Sequence, residues 1–300
     1  MSVSEPPGID TGTRDGTTAA PRLAAGMSFI TIADLPDWSA GPKGDTAAIY
    51  TRLKQAGYET IQTLDPAAAH VAGLIPTGIA RVFHDPAELR GVAARWRDAG
   101  CDCTTVQLGT GVEDDDQMAR LAEALLEAAA HEGHPLFLET HRATMTQDIR
   151  RTLDLVSRFP ELRFNGDFAH WYIGHELTYG DMEMKFDVMR PVFARTRFLH
   201  LRVCSNAMGQ LSASDPAAAK HLDFFKRMWT ESFRGFLAAA PPGGYFTVMP
   251  ELLPPRSFYP RMVTGPDGQP REESDRWADA AFLIDTAHAC FDAAREMAGA

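Results

Sequence analysis

The chain has 300 residues, 45% of them hydrophobic, which is enough for a substantial core in one large domain or two ordinary ones. Its 29 Lys and Arg stand against 40 Asp and Glu, and the formal net charge of −11 repels polyanions and argues against a nucleic-acid partner. No stretch reaches the roughly 20 apolar residues of a membrane span, and Cys101, Cys103, Cys204 and Cys290 lack C-x-x-C spacing, so a cytoplasmic protein with reduced thiols is expected.

Residues 1–25 are rich in Gly, Pro, Ser and Thr and contain no apolar run suited to a secretory or transit segment, so they read as a disordered tail. Residues 26–300 read as a single catalytic domain. From residue 27 onward, short apolar or β-branched runs alternate with segments of helical period. The expected strands are 27–34 (MSFITIAD), 58–64, 78–84, 103–109, 135–141, 162–168, 197–203 and 245–252. Between the fourth and fifth, Met118, Leu121, Ala122, Leu125, Leu126 and Ala129 form one helical face that closes at Gly133, and the acidic run before it suits the helix dipole. Thr144 and Gln147 have capping-box spacing ahead of the stripe Ile149, Leu153 and Val156. Asp215 and Pro216 open another long helix, and the last helix spans about 276–298.

Eight strand and helix units in roughly 270 residues specify an α/β fold, a single (β/α)8 TIM barrel with a flexible N-terminal tail. A doubly wound open sheet would place a Gly-rich phosphate loop after its first strand, and IADLPDWSAG is not one. In a barrel the active site lies at the C-terminal strand ends. There the second half collects Glu139 and His141 on strand 5, Asp167 on strand 6, His200 and Arg202 on strand 7, and Glu251 on strand 8. Alternation along a strand puts Glu139 with His141, and His200 with Arg202, on the inward face. The three carboxylates converging there beside an imidazole repel one another unless a divalent cation joins the set. The oxygen-rich set ranks Mn2+ first, ahead of Mg2+, Co2+, Fe2+ and Zn2+.

These residues, in FLETH, DFAH, HLR and PELLPP, resemble the xylose isomerase-like TIM barrel superfamily, in its sugar and sugar-phosphate isomerase/epimerase branch. The organisation matches over about 27–300, while the specific motifs occupy strands 5 to 8. The resemblance implies Glu139, Asp167, His200 and Glu251 as metal ligands, Glu139 and Glu251 as the proton-moving groups, and His170 and Arg202 as contacts to substrate oxygens. The chemistry expected is proton abstraction next to the carbonyl of a small sugar or polyol ketone through a metal-stabilised enediolate. The outcome is isomerisation or epimerisation, or dehydration of a keto-sugar or keto-inositol if a β-hydroxyl leaves.

Around this set, His141 reads either as a substrate contact or as support for a ligand. His84 and Gln107, near the ends of strands 3 and 4, are placed to line the pocket, and Trp38 and Trp171 to wall a sugar ring. His70, His131, His134 and His221 read as surface residues. The long segment 254–275 reads as a lid or interface arm, with Arg256 and Arg261 either gripping an anion or exposed. Association into a homo-oligomer stays open.

Overall fold

Eight parallel strands pair in chain order and close on themselves, the last bonding to both the seventh and the first. The computed structural model describes residues 12–299. The strands are β1 Arg22–Ser28, β2 Thr60–Gln62, β3 Ile75–Val82, β4 Thr104–Leu108, β5 Leu136–Glu139, β6 Phe164–Gly166, β7 Thr196–Leu201 and β8 Gly244–Pro250. Their outer faces are covered by α1 Thr46–Gln55, α2 Pro66–Val71, α3 Glu88–Asp98, α4 Asp115–Glu132, α5 Ile149–Arg158, α6 Met182–Phe193, α7 Ala219–Leu237 and α8 Arg276–Ala298. This is the (β/α)8 barrel the sequence predicts. Among the described residues, no helix is long and apolar enough to cross a membrane, and the four cysteines are free and buried.

Side-chain alternation fixes what the barrel encloses. Cys103, Phe137, Phe198 and Met249 form a buried apolar cluster of their own. Two residues further along the same strands, with the same inward parity, stand Thr105, Glu139, His200 and Glu251. The polar set therefore rests on an apolar plug. Met249 fills the axis so closely that a Cβ on Gly26 of β1 would lie 2.7 Å from its Cγ and Cε and 2.2 Å from Thr60 Oγ1, which reserves that position for glycine.

Aspartates cap most of the outer helices, because an acceptor at the N-cap satisfies an otherwise orphaned N–H. Asp114 and Gln117 form a reciprocal capping box at α4, so the acidic run there does cap the helix. At α5 the cap is Asp148, not the Thr144 and Gln147 pair: Thr144 Oγ1 turns back to His141 O at 2.8 Å and Gln147 Nε2 reaches Gly111 O. Asp215 and Pro216 start a single 3-10 turn, Pro216–Ala218, which runs directly into α7.

Three further expectations need correction. The expected tail overlaps ordered chain: Thr13–Arg14 pairs antiparallel with β8, and β1 already begins at Arg22, while residues 1–11 of that tail lie outside the described residues. The expected first strand, 27–34, is strand only to Ser28 and then becomes a short helix, Phe29–Ile32. Arg276 explains this turn, because its guanidinium donates to Thr31 O at 2.6 Å, Ala33 O at 3.0 Å and Asp34 O at 3.0 Å, bending the segment over the rim. His134 and His221 are buried rather than on the surface. His221 Nδ1 meets the Tyr172 hydroxyl at 2.6 Å, and His134 Nε2 meets Thr104 Oγ1 at 2.9 Å.

Burial holds the His134 imidazole down to about 4, well below the usual 6.5. Unfolding releases it to take a proton, so stability is complete above about pH 6.5, falls between about 6.5 and 4, and flattens below. The loss is expected to be up to about 3 kcal/mol. Urea titrations of wild type and His134→Gln at pH 7.5 and 5 check this, since the variant should lose clearly less stability between the two than wild type does. An unchanged difference would place the titrating group elsewhere.

Candidate metal centre

Glu139 ends β5, Asp167 follows β6, His200 lies in β7 and Glu251 follows β8, so four adjacent strands each deliver one ligand-type side chain to the mouth. One ligand atom from each lies within 4.8 Å of all the others. His200 Nδ1 stands 3.7 Å from Glu139 Oε1 and 3.6 Å from Glu251 Oε2. Glu139, Asp167 and His200 are essentially inaccessible, while Glu251 keeps 12% of its side chain open to the mouth. Neither oxygen of Glu139 has a hydrogen-bond partner among the described residues. A buried carboxylate left in that state is costly unless a cation completes it.

The electrostatics report the same deficit of positive charge. Burial opposes a charged His200, yet Glu251 and Glu139 hold its imidazolium up to about 9. Burial also pushes Glu251 up, and although His200 opposes this, Glu139 and Asp167 add to it, so that its carboxyl reaches about 8. With no cation, a proton taken up by Glu251 relieves the crowding of three carboxylates. Burial would raise Glu139 too, but His200 beside it holds it below the usual range. Asp167 is held far down despite its burial, because Arg202 and His170 both face it. Arg202 forms a buried ion pair with Asp167 Oδ2, which also lies 3.2 Å from His170 Nε2. Asp167 Oδ1 accepts from Ala169 N at 3.2 Å.

No family model matches the sequence, and no curated protein matches it. Among solved structures, a xylose isomerase-like TIM barrel protein from Mycobacterium smegmatis, in complex with magnesium, aligns with a TM-score of 0.54 at 12% identity, over 91% of this chain and 97% of that one. A D-tagatose 3-epimerase-like protein aligns with a TM-score of 0.54 at 9% identity, over 92% of this chain and 100% of that one. The fold is that of the xylose isomerase-like TIM barrels. The probable 3-DHS dehydratase AsbF from Bacillus anthracis, involved in petrobactin synthesis, also aligns, with a TM-score of 0.50 at 13% identity, over 77% of this chain and 93% of that one.

Of the other residues expected at the site, His170, Arg202 and His141 lie against the four central residues. His141 stacks obliquely on His170, with ring centroids 3.9 Å apart, and burial with His170 nearby lowers its imidazole to about 4. Gln107 is half-buried on β4 with the parity of Thr105, whose hydroxyl meets Asn165 inside the barrel, so it faces the mouth. Others are elsewhere. Trp171 is fully buried in the helix Phe168–Gly174 and donates to Thr146 O at 2.7 Å, so it is a core residue and not a substrate wall. His84 is exposed in a shallow surface pocket with Phe83, Glu113 and Arg120. Trp38 is 44% exposed, with Arg271 packed 5.5 Å over its ring. Arg256 pairs with Asp34 and Arg261 with Asp215, which ties the 254–275 segment to neighbouring loops, while the Arg261 pair with Glu273 closes within the segment.

Two residues at the site escape the sequence reading. Asn165 Oδ1 accepts from His200 N at 3.1 Å while its amide donates to Thr105 Oγ1 at 3.1 Å, fixing β7 against β6 just below the cluster. Its inward parity with Asp167 was the available signal. Tyr259 lies in the segment after β8, with its ring centroid 4.8 Å from the Arg202 guanidinium and 5.0 Å from that of Arg142. Nothing local in the sequence marks it.

Proposed function

We propose that the protein is a divalent-metal-dependent enzyme that abstracts a proton next to the carbonyl of a small sugar or polyol ketone, acting as an isomerase or epimerase. The observation that carries this reading is the convergence of Glu139, Asp167, His200 and Glu251 within 4.8 Å, with both Glu139 oxygens buried and unpartnered. These four residues would hold the ion, and the oxygen-rich set places Mn2+ first and keeps Mg2+ among the alternatives. A bound divalent cation supplies positive charge beside the carbonyl oxygen on which negative charge develops.

The chain's own groups carry the remaining steps. Glu139 and Glu251 come from strands separated by β6 and β7, so they flank a substrate from different sides. One takes the proton next to the carbonyl and the other returns a proton: return at the same carbon inverts it, and return at the neighbouring carbon interconverts aldose and ketose. Arg202 uses one nitrogen on Asp167, and its buried Nε and Nη1 have no partner, which leaves two donors for a substrate oxygen. Gln107 supports binding from the β4 side.

A second reading, dehydration, draws on the structural likeness to a probable 3-DHS dehydratase. It needs only that a hydroxyl β to the carbonyl leaves after the same proton abstraction. Incubation in D2O with Mn2+ and a panel of keto-sugars and keto-inositols tests both. Deuterium in recovered substrate or its isomer, without loss of water, supports the isomerase or epimerase, and a new enone absorbance supports the dehydratase. Absence of both with the metal-loaded protein across the panel would remove the proposal.

A further inference from the structure

Arg142 sits in the loop after β5, one residue beyond His141, and meets the mouth from its rim. The Tyr259 ring lies 5.0 Å from the Arg142 guanidinium and 4.8 Å from that of Arg202, so two cations from different parts of the barrel meet one aromatic side chain. Tyr259 is itself held in place. Its ring packs on Gly209, where an added Cβ would lie 2.9 Å from Cδ1, the following Pro260 bridges to Gln210, and the ring stands edge-on to His170 with centroids 6.4 Å apart. Two features leave this corner incomplete. Arg202 is 1% exposed, and its Nε and Nη1 have no hydrogen-bond partner, a costly state for a buried charged donor. Arg142 is half-buried and has no acidic partner among the described residues. Charge points the same way: a divalent ion in the four-residue cluster, together with Arg202, balances Glu139, Asp167 and Glu251, and the Arg142 charge is left over. Arg81 of β3, by contrast, is occupied by Gly109 O at 3.0 Å and by Ala143 O, with Glu113 nearby.

We infer that Arg142 and Arg202, set by Tyr259, form a subsite for an anionic group on the substrate, a carboxylate or a phosphate ester, so that the ketone turned over is an acidic one. Because the proposed function sets Arg202 beside the substrate, the subsite rests on that reading. Arg142, which takes no part in moving protons, then decides which substrates are held. A guanidinium donating to a carboxylate or phosphate makes hydrogen bonds roughly twice as strong as those between neutral groups, and a neutral sugar offers Arg142 no such partner. Tyr259 is a positioning residue here: its ring attracts the Arg142 guanidinium and holds it at the mouth before the anion arrives.

The test uses matched compounds that lack a ketone and are not turned over: D-glucitol, D-gluconate and D-glucitol 6-phosphate, with the corresponding mannitol series. Each is titrated calorimetrically into Mn2+-loaded protein, whose folding and metal content are checked by circular dichroism and mass spectrometry. Wild type is expected to bind at least one anion about 10-fold or more tighter than its neutral alditol, and the carboxylate and phosphate arms tell which group the subsite takes. Arg142→Met, which keeps bulk against the ring, should lose that preference, and Arg142→Lys should recover part of it. Equal affinity for anion and alditol in wild type, binding of neither, or a preference that survives Arg142→Met overturns the subsite. Deuterium exchange judges the proposed function separately. Exchange into a neutral keto-sugar as fast as into its acid or phosphate overturns the subsite and leaves that function standing, whereas no exchange into any of them removes the function whichever anion binds.

Discussion

Glu139→Gln is expected to lower kcat/KM by roughly 10^3-fold or more while leaving the metal-free fold almost unchanged. The size follows from the two duties given to one carboxylate, since a positioned base typically contributes 10^2 to 10^4-fold and a lost ligand oxygen weakens the ion as well. The small cost to the fold follows because neither oxygen of Glu139 accepts a hydrogen bond, so an amide of the same shape loses none, and the His200 imidazolium, 3.7 Å from Glu139, keeps Glu251 at 3.6 Å as its counter-charge. A change below about 1 kcal/mol in urea unfolding of the metal-free protein is expected, against about 3–5 kcal/mol when one member of a structural buried ion pair is removed. Added Mn2+ should separate the two proteins. A ligand at 100 times its Kd stabilises wild type by about 2.7 kcal/mol, and the variant should keep little of that increment. If Glu139→Gln unfolds readily without metal, or gains as much from Mn2+ as wild type, Glu139 is an architectural residue and the site has been misassigned.

The part of this site that could be read in the sequence is the part governed by a period of two. Glu139, His200 and Glu251 stand two residues beyond Phe137, Phe198 and Met249, so one register decision places the apolar plug and the polar set together. Strand order in a closed barrel then brings them to one mouth whatever their sequence separation. What escaped depends on packing between elements. The β-branched and aromatic run Phe29–Ile32 carries strand propensity, but carbonyls held by Arg276, nearly 250 residues away, turn it into a helix. Trp171 reads as a wall for a sugar ring because nothing local shows that its helix is buried with its indole on Thr146. His221 sits on α7, and its burial against Tyr172, 49 positions earlier, is decided by how two elements dock. Tyr259 belongs with these: it is tied to the site through guanidinium contacts from β7 and from the loop after β5, and by the rim loop in which Gln210 accepts from Leu253 N at 2.7 Å.

Arg202→Ala is expected to be the most destabilising single change at the mouth, and its cost should depend on metal. The guanidinium is 1% exposed and pairs with a fully buried Asp167, so its removal strands a carboxylate whose ionisation Arg202 and His170 support together. Breaking such a pair typically costs about 3–5 kcal/mol, because the surviving charge has neither water nor a partner. Removing both charges is milder, so Asp167→Asn in an Arg202→Met background should recover much of the loss in metal-free protein. The same freed carboxylate is a stronger ligand, because Arg202 no longer draws on Oδ2. Saturating Mn2+ should therefore return a larger stabilising increment to Arg202→Ala than to wild type, while the double variant, lacking a ligand, should gain less than either. Urea titrations of the three proteins with and without Mn2+ measure this coupling. A structural arginine unconnected to the ion would give a loss of the same size in both conditions, and that result would detach Asp167 from the proposed metal centre.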